Sequence, residues 1–172
     1  MHNNRTSDLL NKDHIKLLFS IFENNDAEIR LVGGCIRDIF LNKESKDIDA
    51  ATVIEPNEVL ELLNINNIEY DDFAIQYGSI IAYPLEKKVQ ITTLREDVNQ
   101  IGRHTNVIYT SNWEKDAARR DFTFNAMYLG SNNKLHDYYN GKKDLAEKKI
   151  RFIGEIGERV TTFSKEGREY PI

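Results

Sequence analysis

One cysteine, three prolines and one tryptophan are spread over 172 residues. A single thiol cannot build a disulfide framework within one chain, so a packed core must carry the fold. Cys35 reads as a small buried packing residue, because no histidine lies near it in sequence to activate a thiolate. No apolar run is long enough to cross a bilayer. The polar start Met1-His2-Asn3-Asn4-Arg5 lacks the apolar stretch of a secretory signal, so a cytoplasmic protein with no membrane partner is expected. Basic excess is missing too: 28 acids against 23 bases leave a net charge of −5. A chain that grips nucleic acid by its phosphates alone should be basic. This one is therefore either no general nucleic-acid binder or the catalytic part of something larger. Two common nucleotide signatures are also missing. Without Gly-x-x-x-x-Gly-Lys-Ser/Thr there is no P-loop, and without Gly-x-Gly-x-x-Gly after a strand a dinucleotide fold has no support. His2, His14 and His136 fall at no zinc-ligand spacing.

What is present suits one globular domain, with 40% hydrophobic and 30% charged residues. Apolar positions between Ser7 and Phe22 recur at helical spacing, with Ser7 as a candidate N-cap. Ile29 to Val32 reads as a strand entering the Gly33-Gly34 turn, and Cys35 to Leu41 as a short helix. Asp47 to Val53 reads as a strand, and Pro56 opens a helix running to about Leu63. Tyr77–Tyr83 and Lys88–Leu94 form a hairpin pattern around Pro84-Leu85-Glu86-Lys87. Glu96 to Thr110 has no clean period and reads mainly as loop. Ser111-Asn112-Trp113-Glu114 is a capping-box pattern, predicting a helix through Asp116, Arg119 and Arg120 toward Asn125. Ala126–Leu129 and Lys134–Tyr138 read as a further strand pair, Asn140-Gly141 as a turn and Asp144–Lys148 as a short helix. This order is not regular βαβ alternation. It predicts an α+β fold whose mixed, largely antiparallel sheet is flanked by helices.

The chemistry concentrates in Gly33-Gly34-Cys35-Ile36-Arg37-Asp38 followed by Asp47-Ile48-Asp49. Two glycines let backbone approach a ligand with no Cβ in the way. The helix start beyond them offers N–H groups and a positive dipole end, and Arg37 adds a fork-shaped cation. Together these could cradle a triphosphate. On a strand, Asp47 and Asp49 would share a face, roughly 6–7 Å apart. Two such carboxylates repel unless a cation intervenes, and Mg²⁺ is the natural candidate. A two-metal site is what nucleotidyl transfer needs. Taken alone, Asp-x-Asp is common, Arg119-Arg120-Asp121 reads as a solvated helix face with an intrahelical ion pair, and Asp38 as a structural acid of its helix. Tyr77, Gly78 and Ser79 read as strand packing.

Gly33-Gly34-Cys35-Ile36-Arg37-Asp38 with Lys46-Asp47-Ile48-Asp49-Ala50-Ala51-Thr52 resembles the first signature of class II tRNA nucleotidyltransferases and bacterial poly(A) polymerases, within the DNA polymerase β-like superfamily. Arg119-Arg120-Asp121-Phe122-Thr123-Phe124-Asn125-Ala126-Met127 resembles their second signature. Asp137-Tyr138-Tyr139-Asn140-Gly141 with Asp144-Leu145 resembles the stretch that closes the head domain. The resemblance implies a nucleotidyltransferase head that binds ATP or CTP and two Mg²⁺ ions and transfers AMP or CMP to an RNA 3′ end, that of tRNA above all. It implies Asp47 and Asp49 as metal ligands, and Gly33, Gly34 and Arg37 against the triphosphate. Arg120, Asp121 and Asn125 would contact the nucleotide. Arg95, and Arg103 beside His104 in the loop, are further candidates.

Two departures from the family pattern stand out. Its acidic triad is completed by a glutamate where this chain has Gln90, an amide that can offer an oxygen but no charge. Residues 155–172 resemble no ordinary neck: Val160-Thr161-Thr162-Phe163-Ser164-Lys165 stands where a base-reading helix is expected. The expected organisation is an N-terminal helix over 1–26, a head over 27–154 and a truncated or aberrant neck from 155. The alternative to an active head is an inactive remnant, or half of a split enzyme that binds nucleotide or a separately encoded C-terminal half.

Overall fold

The computed structural model describes residues 2–96 and 108–154. The chain opens with two helices, α1 (His2–Leu10) and α2 (Asp13–Glu23). The single helix expected from Ser7 to Phe22 is broken at Lys12, whose backbone is extended at φ −64°, ψ 131°. Ser7 therefore lies inside α1 and caps nothing at its start. Helix α2 is amphipathic and buries Ile15, Leu18, Phe19, Ile21 and Phe22.

Strand β1 (Ile29–Val32) is buried along its whole length and runs into helix α3 (Gly34–Phe40). Strand β2 (Asp49–Thr52) leads to α4 (Pro56–Ile65), where Glu55 and Glu58 form a reciprocal capping box ahead of Pro56. Then come β3 (Tyr70–Asp71) and the expected hairpin, β4 (Ser79–Ala82) and β5 (Val89–Thr93). The segment expected as loop is paired at both its ends: β6 (Arg95–Glu96) meets β7 (Ile108–Tyr109) as a small antiparallel ladder. Gly102, Arg103 and His104 lie outside the described residues, as does everything from Glu155 onward.

Helix α5 (Trp113–Ala118) is shorter than expected. Its cap is Asn112, whose Oδ1 accepts from the N–H groups of Glu114 (2.9 Å) and Lys115 (3.1 Å). It stops because Phe122 leaves for extended backbone and bridges to Phe152. Phe122 stacks on Phe124 at 5.1 Å and packs on Phe152 at 4.8 Å, so aromatic burial wins over helix continuation. Arg120, Asp121 and Asn125 are thus not on α5; Asn125 ends a 3-10 turn, Thr123–Asn125. Strands β8 (Met127–Leu129) and β9 (Leu135–Asp137) pair antiparallel, and α6 (Gly141–Ala146) follows.

Seven strands form one sheet in the order β3-β4-β5-β2-β1-β8-β9. Only β2 and β5 are parallel; the other neighbours are antiparallel. This is the mixed, largely antiparallel α+β fold expected. The main core, which holds Leu31, Ala50, Ile80, Ile91 and Leu129, packs against α2, α3 and α4. A second cluster, with Val32, Ala51, Leu94, Trp113, Ala117 and Tyr128, joins the sheet to α5. No helix among the described residues is long and apolar enough to cross a membrane.

Candidate functional site

Gly33 sits between β1 and α3 with φ +77° and ψ −133°, a conformation open to glycine and costly for any residue with a Cβ. Asp49 opens β2 and is the register partner of Val32, the residue just before that turn. A Cβ placed on Gly33 would lie 4.0 Å from Asp49 Oδ2, 3.8 Å from an Arg120 terminal nitrogen and 3.9 Å from the Asn125 carbonyl. Four residues spread from position 33 to position 125 therefore converge on one bend.

Asp47 lies two residues ahead of the regular strand, not within it as expected. It is exposed, Ile48 is buried and Asp49 is half-buried, so the alternation turns both carboxylates away from the main core. Asp49's carboxyl is raised above its ordinary value, first by burial and further by the charge of Asp47; the Arg120 guanidinium and Lys88 oppose the shift. Gln90 is Asp49's register partner on β5, so its amide occupies the sheet position beside the carboxylate. Among the described residues, no three His, Cys, Asp or Glu side chains gather as a metal cluster. Two carboxylates and an amide oxygen are nonetheless hard oxygen donors of the kind Mg²⁺ takes.

Arg37 projects from α3. Its Nε and one terminal nitrogen both donate to Asp38 Oδ1, at 2.9 and 2.8 Å, and the other donates to Asn125 Oδ1 at 3.3 Å. Gly34 lies under this guanidinium, 3.5 Å from it at the Cβ position. Asp38 thus binds Arg37 itself. Asp121, next to Arg120, is half-buried, and its carbonyl accepts from the N–H of Ile153 at 2.9 Å. Arg95 points elsewhere: its guanidinium donates to the Tyr77 carbonyl at 2.7 Å. Cys35 is buried beneath the turn, its thiol on the Val32 carbonyl at 3.3 Å and pushed up to about 12 by burial. It is a packing residue, as expected.

Sequence reasoning missed what holds Arg120. Arg119 and Arg120 both reach back to Asp116, at 2.9 and 3.2 Å. Burial pushes Asp116 up, but Arg120, Arg119 and hydrogen bonds from Tyr128 and the Arg95 N–H outweigh it and hold the carboxyl below its ordinary value. The i, i+4 spacing of Asp116 and Arg120 was visible in the sequence; the contribution of Tyr128 from strand β8 was not.

Comparison with known proteins places these features in a family context. The family described as the poly A polymerase head domain matches residues 29–151, well over half of the chain. The human mitochondrial CCA tRNA nucleotidyltransferase 1 is 40% identical over 147 residues, covering 85% of this chain and 34% of that protein. The chain thus spans about a third of the length of such relatives. The crystal structure of the Bacillus stearothermophilus CCA-adding enzyme in complex with CTP superposes with a TM-score of 0.75 over 91% of this chain and 37% of that one, at 24% identity, a likeness of fold. A tRNA nucleotidyltransferase complexed with a primer tRNA and an incoming ATP analog gives 0.64 at 27% identity, covering 80% of this chain and 39% of that one.

Proposed function

This chain belongs to the poly A polymerase head-domain family, and on that premise we propose that it is the nucleotidyl-transfer head of an enzyme acting on RNA 3′ ends, tRNA foremost. The observation that carries the reading is the convergence of Asp49, Arg120 and Asn125 on the Gly33 bend. The substrate nucleotide is ATP or CTP, and its triphosphate lies along Gly33-Gly34, with Arg37 and Arg120 as its cationic flanks. The RNA 3′ oxygen attacks the α-phosphorus, the bond from that phosphorus to the bridging oxygen breaks, and pyrophosphate leaves with the bond's electrons. The attacking hydroxyl gives up its proton to solvent water as the new ester forms. Two Mg²⁺ ions would be held by Asp47 and Asp49 with the Gln90 amide beside them, and would supply charge neutralisation and Lewis-acid activation there. The chain's own contribution is to fix the nucleotide and to aim positive charge where negative charge builds. Asn125 steadies Arg37, and Asp121, beside Arg120, is a further contact to the sugar or phosphates of the nucleotide.

The test is incorporation of labelled ATP or CTP into tRNA lacking its 3′ end, with Mg²⁺ present. Asp47→Ala and Asp49→Ala should each abolish incorporation; full activity in either variant overturns the metal role. A second reading is favoured by one observation, the neutral Gln90 in register with Asp49: a head that binds nucleotide but transfers nothing by itself. Nucleotide binding without incorporation supports it. Restored transfer on adding a separately encoded C-terminal half marks a split enzyme.

A further inference from the structure

Arg120 lies just past the end of α5, where a long side chain would ordinarily be free to wander. Here it is held on three sides. One terminal nitrogen donates to Asp116 Oδ2 at 3.2 Å. Its Nε donates to the Tyr128 hydroxyl at 3.1 Å. The Tyr128 ring lies 5.3 Å from its guanidinium carbon, within cation–π range. The holders are themselves fixed. Tyr128 is fully buried in β8 and donates its hydroxyl to Asp116 at 2.7 Å. Asp116 is 1% exposed and also accepts from the backbone N–H of Arg95 at 3.2 Å, so the carboxylate is anchored to β6 as well as to α5. The remaining terminal nitrogen of Arg120 is the one beside the Gly33 bend.

We infer that Asp116 and Tyr128 are positioning residues that hold Arg120 against the Gly33 turn, so that its guanidinium meets the nucleotide triphosphate already oriented. The inference rests on the proposed triphosphate site. Stability alone gives little reason for this arrangement, because a buried ion pair is commonly matched or bettered by apolar packing of the same volume. Orientation does give one: an arginine fixed before its ligand arrives loses less freedom on binding. Burial of Tyr128, first, and the Asp116 carboxylate keep the phenol protonated, so that it serves both partners at once.

The experiment uses the full chain with Tyr128→Phe and Asp116→Asn, each alone and combined with Arg120→Ala. Tyr128→Phe keeps the ring and loses one oxygen, and it carries the test if Asp116→Asn does not fold. Affinity for ATP with Mg²⁺ is measured by calorimetry, and Arg120 Nε–H exchange by NMR without nucleotide. Each single change should weaken ATP binding about tenfold, the scale of one charge-assisted hydrogen bond, and speed Nε–H exchange. Neither should weaken binding further once Arg120 is alanine. Equal weakening in the Arg120→Ala background, or unchanged Nε–H exchange, overturns the inference. Should the unsubstituted chain bind no ATP, the proposed function fails, while an exchange rate that answers to Tyr128 still supports the positioning.

Discussion

Asp49 shows how a single residue couples the site to pH. Its carboxyl is raised, chiefly by burial, so the folded chain holds that proton more tightly than the unfolded chain does. The stability this contributes is present at low pH and is lost as pH rises through and above the ordinary carboxylate range. Asp49→Asn, which stays neutral, should therefore melt at a higher temperature than the parent at pH about 7 without Mg²⁺, and the gap should close near pH about 3.5. Mg²⁺ should stabilise the parent at neutral pH and leave the variant unmoved; thermal melts at the two pH values check both. Gly141 makes a different point. A Cβ there would overlap the Thr123 carbonyl, coming within 2.7 Å of its carbon and 2.8 Å of Phe124 Cα. Both neighbours are backbone and cannot swing away, so Gly141→Ala should cost about 3 kcal/mol in denaturant unfolding. The glycine lets α6 press against the turn that ends in Asn125, and Thr123 and Asp144 seal that contact with a 2.6 Å hydrogen bond.

Among the elements, α5 links fold to site. It is only six residues long and cannot persist by its own propensity. Three things hold it: the Asn112 cap, burial of Trp113 and Ala117, and the Asp116 cluster. Trp113 is clamped in turn, with Arg30 stacked at 3.9 Å and its indole N–H on Glu28 at 3.1 Å. Asn112→Ala should cost about 1 kcal/mol, read as a lower melting temperature. A cost well above that would show that the cap also sets the tilt of Asp116. The helix start was legible because capping residues announce themselves locally. Its end was not, because the pull that stops it comes from Phe152, thirty residues beyond Phe122.

At the scale of the whole molecule, the sheet separates two cores, and α2 belongs to the larger. Its five buried residues share that cluster with β1, β2, α3 and α4. At roughly 1.5–3 kcal/mol for each buried side chain, they contribute about 10 kcal/mol, comparable with the net stability of an ordinary domain. Deleting residues 2–26 should therefore abolish cooperative unfolding followed by circular dichroism. A sharp transition in the shortened chain would refute this.

The sequence by itself determined the strand–glycine–helix turn at Gly33, the β4–β5 hairpin and the mixed character of the sheet. Each is written in contiguous residues through turn chemistry, capping or periodicity. Only the tertiary structure decided that Gln90 stands beside Asp49, that Arg37 reaches Asn125, and that Arg120 rather than Arg95 faces the glycine bend. These pairings join side chains tens of residues apart. They are selected by strand register and by which polar groups can satisfy one another once buried, and neither condition leaves a local pattern in the chain.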